Sequence, residues 1–122
     1  GNKYKERMIM TSEEINTALY KKMYAEQEEF RKWLMFQPPE IILKYAYEYK
    51  LKEDILLSLE YKDLEDIQAE SLLKLDQPLQ KVYERLDSKE TGYMDSVWET
   101  IEECASTEKS RSGSAGYEKE SR

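Results

Sequence analysis

The sequence has no histidine, and that absence excludes a great deal of chemistry. Without imidazole there is no Ser-His-Asp or Cys-His nucleophile and no general base of the usual neutral-pH kind. Zinc sites that need a histidine ligand are excluded too. A single cysteine, Cys104, excludes an all-thiolate zinc site and an intrachain disulfide. The four glycines stand at Gly1, Gly92, Gly113 and Gly116, so no glycine-rich phosphate loop exists. No run approaches the roughly 18 apolar residues of a membrane span. Residues 1–10 lack the apolar stretch of a secretory leader. The expectation is a cytoplasmic protein without membrane contact. Valine occurs twice, at Val82 and Val97, and leaves little material for sheet.

What is present favours helix. Charged residues make up 37% of the 122, against roughly a quarter in an average domain. Leu, Ile, Val and Phe together number 24, a low supply for a core. Ten Tyr, five Met and two Trp make up the difference, so the core must use tyrosines whose hydroxyls need partners or a wet edge. The net charge of −7 is unevenly spread. Residues 1–11 carry +2 and residues 106–122 carry +1, which leaves −10 on residues 12–105. Such a balance argues against direct nucleic-acid binding, because phosphate contacts need Lys and Arg. It is compatible with a basic protein partner.

Local signals divide the chain. Thr11-Ser-Glu-Glu14 is a capping box, with Met10 and Ile15 placed for a hydrophobic staple. Ile15, Leu19, Met23, Phe30 and Leu34 then follow helical spacing, with Tyr20 and Trp33 widening the stripe. Pro38-Pro39 ends this helix near Phe36, and Pro39 suits the first turn of the next. Short helices are expected over 39–50, 52–61 and 64–75, the last capped by Asp63. A final helical region runs from Pro78 to about Ala105, with a break or a run-through near Gly92. Ser106–Arg122 has no Leu, Ile, Val or Phe and is rich in Ser, Gly and charge, the composition of a disordered tail. The expected organisation is a flexible segment 1–11, one helical domain 12–105 and a disordered tail 106–122. The expected fold is all-α: a compact bundle of about five helices, with two long ones, the first and last, bracketing three short ones.

One internal repeat is present. Glu48-Tyr-Lys-Leu-Lys-Glu-Asp-Ile55 and Glu60-Tyr-Lys-Asp-Leu-Glu-Asp-Ile67 are identical at six of eight positions. Two copies do not make a solenoid. The simplest reading is duplicated turn chemistry: Tyr-Lys closes one helix, Glu-Asp opens the next, and Ile enters the core.

Ala18-Leu-Tyr-Lys-Lys-Met-Tyr-Ala-Glu-Gln27, Gln37-Pro-Pro-Glu40, Tyr45-Ala-Tyr-Glu-Tyr49 and Glu53-Asp-Ile-Leu56 resemble an uncharacterised domain-of-unknown-function family over about residues 12–105. Its members are short acidic proteins of gut-dwelling Gram-positive bacteria, often mobile-element cargo. The resemblance implies a bacterial, cytoplasmic, all-helical domain. It brings no activity, cofactor or site residue with it.

Three constellations stand out. Met35, at the end of the first helix, can lie near Leu43 and Tyr47, which point away from the face formed by Ile41, Ile42, Tyr45, Ala46 and Tyr49. A helix apolar on both sides is either central in a bundle or a partner surface. In the last helix, Tyr93, Met94, Val97, Trp98, Ile101, Cys104 and Ala105 share one arc. Asp95, Glu99, Glu102 and Glu103 lie opposite and form an acidic ridge, which is either a solvated face or a phosphate mimic. Glu26 and Glu90 fall inside apolar arcs, where a shared proton or a divalent metal would be the functional reading. The plain reading is a Glu26 that snorkels or pairs with Lys22. Trp33, Trp98 and Cys104 read as core residues.

The function expected first is a non-enzymatic protein-interaction module acting through Met35, Leu43 and Tyr47 on an unidentified protein partner. An acidic decoy that blocks a nucleic-acid-binding protein is the alternative, and a carboxylate enzyme comes third. No cofactor and no metal is expected.

Overall fold

The computed structural model describes residues 10–89 and 92–115, with side chains to residue 111. Among them are five α-helices and no strand: α1 (Ser12–Met35), α2 (Pro39–Tyr61), α3 (Asp66–Leu73), α4 (Pro78–Ser88) and α5 (Tyr93–Ala115). The all-α class and the helix number are those expected, and the first and last helices are long. The partition between them differs. The two short helices expected over 39–50 and 52–61 are one 23-residue helix, α2. Nothing between Tyr49 and Lys52 breaks a helix, because Lys and Leu are good helix formers. Past α4, the chain turns at Lys89 and α5 begins after Gly92, so no helix runs through that glycine. The Gly92 carbonyl accepts the Ser96 N–H at 3.1 Å and opens α5.

The chain forms two units, Gly1–Asp87 and Ser88–Arg122. The boundary falls inside the single domain expected over 12–105. The second unit contains α5, which continues through Ala115 rather than ending near Ala105. No proline interrupts residues 106–115, and Arg111 pairs with Glu108 one turn back at 3.1 Å. Residues 1–9 of the expected flexible segment and 116–122 of the expected tail lie outside the described residues.

In the first unit α1 packs on both α2 and α3. Its capping box is formed as expected: Glu14 N–H donates to Thr11 Oγ1 at 3.1 Å, and Thr11 N–H to Glu14 Oε1 at 2.9 Å. The core joins Ile15, Leu19 and Met23 of α1 to Ile55 and Leu56 of α2, Ala69 of α3 and Leu79 of α4. Burying a leucine such as Leu19 or Leu79 stabilises by about 1.5–3 kcal/mol. Met10 packs against this cluster from outside the helix. The four-residue step from Ile15 through Leu19 and Met23 lands on Gln27, which is 1% exposed. Its Nε2 donates to the Tyr49 carbonyl at 3.2 Å and to Glu53 Oε2 at 2.9 Å.

The two copies of the repeat fold differently. The first lies wholly within α2, where Lys50 pairs with Asp54 at 2.8 Å. In the second, Lys62 ends α2 in an extended conformation and the chain crosses to α3. Asn16 fixes this crossing: its Oδ1 accepts the Leu64 N–H at 2.9 Å and its Nδ2 donates to the Leu64 carbonyl at 3.0 Å. The α3 cap is Glu65 rather than Asp63, with Gln68 bonding back to it. Ile55 enters the core, but Ile67, its counterpart, is 72% exposed. On a two-turn helix only one side can face α1, and Ala69 takes that place.

Aromatic packing joins the far ends of α1 and α2. Phe30 meets Tyr45 edge-on at 6.1 Å between ring centroids, and Trp33 meets the same ring edge-on at 5.3 Å. Trp33 is therefore a half-exposed clamp on Tyr45 and not a core anchor.

Candidate functional site

Two features of the first unit converge chemically distinct groups. The first is a polar junction between α1, α2 and the start of α4. Lys52 sits at its centre and is 5% exposed. A buried ammonium is costly unless every donor has a partner. Here Nζ pairs with Glu48 Oε2 at 2.7 Å and donates to Gln80 Oε1 at 2.7 Å. It also lies 4.3 Å from the Phe30 ring centroid and 5.5 Å from that of Tyr83. Burial raises the Tyr83 phenol above the usual tyrosine range, helped by the Glu48 and Asp87 carboxylates and by Tyr47.

Glu26 completes the junction. Its Oε2 accepts the Leu79 N–H at 2.7 Å and its Oε1 the Gln80 N–H at 3.2 Å. Pro78 occupies the first turn of α4, so these are the amides that an N-cap side chain would satisfy. Glu26 thus neither snorkels nor pairs with Lys22. It caps a helix 53 residues away and places its charge at the positive end of that helix. Lys22 does the converse at the end of α3, donating to the carbonyls of Leu73 and Leu75. Glu90 lies outside the described residues, so the expected Glu26–Glu90 pair is not a site that the structure describes. Among the described residues no group of three or more Asp, Glu, Cys or His side chains could hold a metal ion. The junction encloses a cleft of about 540 Å³.

The second feature is the corner where α1 turns into α2. Phe36 is 88% exposed, Leu43 75% and Met35 66%. Met35, Leu34, Ile42, Ala46 and Tyr49 line a hollow of about 260 Å³, with Arg31 at its side. The structure therefore brings Met35 to Ile42 and Ala46. Leu43 and Tyr47 are not part of that hollow. Tyr47 is half-exposed and near enough to Tyr83 to help raise its phenol, and Leu43 is exposed. Phe36 was not singled out from the sequence. The signal was available: it is the last bulky residue before Gln37-Pro-Pro, just past the end of the helix, where no stripe can cover it. Lys52, Glu48 and Gln80 were not singled out either, since nothing local marks a lysine as buried.

In the second unit Asp95, Glu99, Glu102 and Glu103 are exposed on α5. Glu99, Glu102 and Glu103 border an open groove along the helix together with Ser106 and Thr107. Trp98 is half-exposed and Cys104 exposed, contrary to the core positions expected.

Among the described residues no helix is long and apolar enough to cross a membrane. No curated protein and no solved structure matches the chain. One family model does match, over residues 15–108, from the first turn of α1 into α5. That stretch is most of the sequence, and the chain accordingly belongs to the DUF3848 family, described as proteins of unknown function.

Proposed function

We propose that this protein is a non-enzymatic interaction module that docks a protein partner at the α1–α2 corner. The carrying observation is the strong exposure of Met35, Phe36 and Leu43 within nine residues, beside an apolar hollow. Methionine and aromatic side chains are common at the centres of interfaces. A hollow of this size takes one apolar side chain as an anchor. The polar groups of the junction support the same reading, because Lys52, Glu26 and Lys22 are each engaged in holding helices together. The setting we propose is the one that the resemblance implies, a bacterial cytoplasm.

The test is a pull-down with wild type and a Met35→Ser/Leu43→Ser variant at low and high salt. Both substituted side chains are exposed, so circular dichroism should show the variant folded. A partner that withstands salt and is lost from the variant is the expected result. Equal capture by both proteins would refute the corner as the contact surface. The acidic decoy remains the second reading. It is favoured by the exposure of Asp95, Glu99, Glu102 and Glu103 on a stretch, Tyr93–Glu108, that has no Lys or Arg. It predicts instead a basic partner that is released by salt and retained by the corner variant.

A further inference from the structure

The α1–α2 corner differs in charge from the rest of the chain. Residues 31–46 comprise the last turn of α1, the link and the first two turns of α2. They hold Arg31, Lys32 and Lys44 against one acid, Glu40. That is a charge of +2, and it leaves −12 on the remainder of residues 12–105. All three bases are exposed, and none forms an ion pair among the described residues. The helix ends at the corner act in the same direction. The last carbonyls of α1 are taken up: that of Trp33 accepts from the Phe36 N–H and from Gln37 Nε2, both at 3.2 Å, and that of Leu34 from the Gln37 N–H at 2.9 Å. Lys32 stands in the same turn and offsets the negative end of the dipole. The start of α2 has less cover. Its N-cap is Pro38, no side chain caps it, and Glu40 is the one acid in its first turn.

Charge and shape meet at the hollow. Among the residues that line it, Arg31 alone is charged. An occupant therefore sets an apolar group against Leu34, Met35, Ile42 and Ala46 and meets a guanidinium at the rim. A guanidinium pairs with a carboxylate through two parallel hydrogen bonds. The charge of the whole chain favours a basic partner. Within a Debye length of the corner, about 8 Å at physiological salt, the local sign governs instead. A basic segment would meet Arg31, Lys32 and Lys44 as like charges. We infer that the partner of the corner is an acidic peptide segment, which seats one apolar side chain in the hollow and pairs a neighbouring carboxylate with Arg31. This rests on the corner as the docking surface and adds the chemistry of what docks there.

The experiment is calorimetric titration of the full chain with a blocked acidic peptide, acetyl-EDELWELDEE-amide, at low salt. A neutral peptide, acetyl-QNQLWQLNQQ-amide, keeps the apolar side chains without the charge. Saturable one-to-one binding of the acidic peptide is expected, with the neutral one weaker by about tenfold. Arg31→Gln should weaken the acidic peptide about tenfold and leave the neutral one within about twofold, and Arg31→Lys should restore part of the loss. Lys81→Gln, which removes an exposed base from α4, should change neither by more than about twofold. Arg31 is exposed and unpaired, so these variants should fold as wild type does, with circular dichroism as the check. Equal weakening by Arg31→Gln and Lys81→Gln would mean unspecific attraction and would overturn the inference. No saturable heat up to millimolar acidic peptide would overturn it as well. Equal binding of both peptides, lost in Met35→Ser/Leu43→Ser, would overturn the acidic partner and keep the corner as the docking surface. Acidic binding that Met35→Ser/Leu43→Ser leaves intact would remove both. Amide shifts at Ile42 and Ala46 give a readout that does not depend on the variants, and shifts confined to other helices would refute the site.

Discussion

Glu26 offers the most direct test of how this fold is held together. Helix α4 begins Gln77-Pro78, and glutamine is a weak N-cap. Glu26 supplies the missing acceptor from α1, at 2.7 Å from the Leu79 nitrogen and 3.2 Å from that of Gln80. Truncation by Glu26→Ala removes both acceptors and the charge at the end of the helix. Loss of a cap costs about 0.5–2 kcal/mol. The charge–dipole term adds about 0.3–1 kcal/mol. The sum for Glu26→Ala is about 1–3 kcal/mol. Glu26→Gln keeps one carbonyl oxygen, loses the charge and should cost about 1 kcal/mol. For a unit of this size 1 kcal/mol moves the melting temperature by roughly 4–8 °C. Urea denaturation followed by circular dichroism measures both variants. Hydrogen exchange at Leu79 and Gln80 localises the effect, and both amides should lose protection in Glu26→Ala before the rest of α4 does. If both variants unfold with wild type and the two amides exchange no faster, the cross-helix cap contributes nothing and the reasoning fails.

Three further outcomes follow from the same geometry. Asn16→Ala leaves the Leu64 N–H and carbonyl without their partner, and chemical denaturation should show a loss of about 1–3 kcal/mol. Asn16→Asp, which keeps the acceptor but not the donor, should lose less. Lys52→Ala strands Glu48 and Gln80 around a vacated site and should cost about 3 kcal/mol. Lys52→Met/Glu48→Gln, which removes both charges at similar volume, should recover most of that loss, and an equal loss in the two proteins would argue against the ion pair. The phenols of Tyr20, Tyr49 and Tyr83 are raised above the usual value near 10, Tyr20 chiefly by its hydrogen bond to Glu60 and the other two chiefly by burial. A raised phenol means that the folded chain holds its proton longer than the unfolded chain does. The associated stability is therefore complete below about pH 10 and lost as pH climbs through the raised values. Denaturation curves from pH 9 to 12, with ultraviolet titration of tyrosinate, should show stability falling in that window, and Tyr20→Phe should flatten part of the fall.

The corner surface was half legible in the sequence. Met35, Leu43 and Tyr47 were marked by a helix with apolar residues on two sides. Which of them share a hollow depends on the direction in which α2 faces α1, and that direction is set by the contacts of Phe30 and Trp33 with Tyr45. The cleft was hardly legible. Its central residue, Lys52, is matched with Gln80, 28 positions away, and Glu26 with amides 53 and 54 positions away. No local pattern encodes a partner at that distance.

Whatever depends on a few neighbouring residues could be read directly along the chain. Scarce valine and abundant Leu, Lys, Glu and Tyr fixed the helical class. Thr11 with Glu14 fixed the start of α1, and Pro38-Pro39 its end. The missing histidines removed whole branches of chemistry. Contacts between distant segments set the rest, and the repeat shows why. Six of eight residues are the same in Glu48–Ile55 and Glu60–Ile67, yet one stretch is mid-helix and the other is a turn. At the first, Lys52 finds Glu48 and Gln80 and the helix continues. At the second, Asn16 takes up the Leu64 backbone and the helix ends. Propensity sets a preference of a few tenths of a kcal/mol per residue. A buried polar group without a partner costs about 1–3 kcal/mol, and so the distant partner prevails.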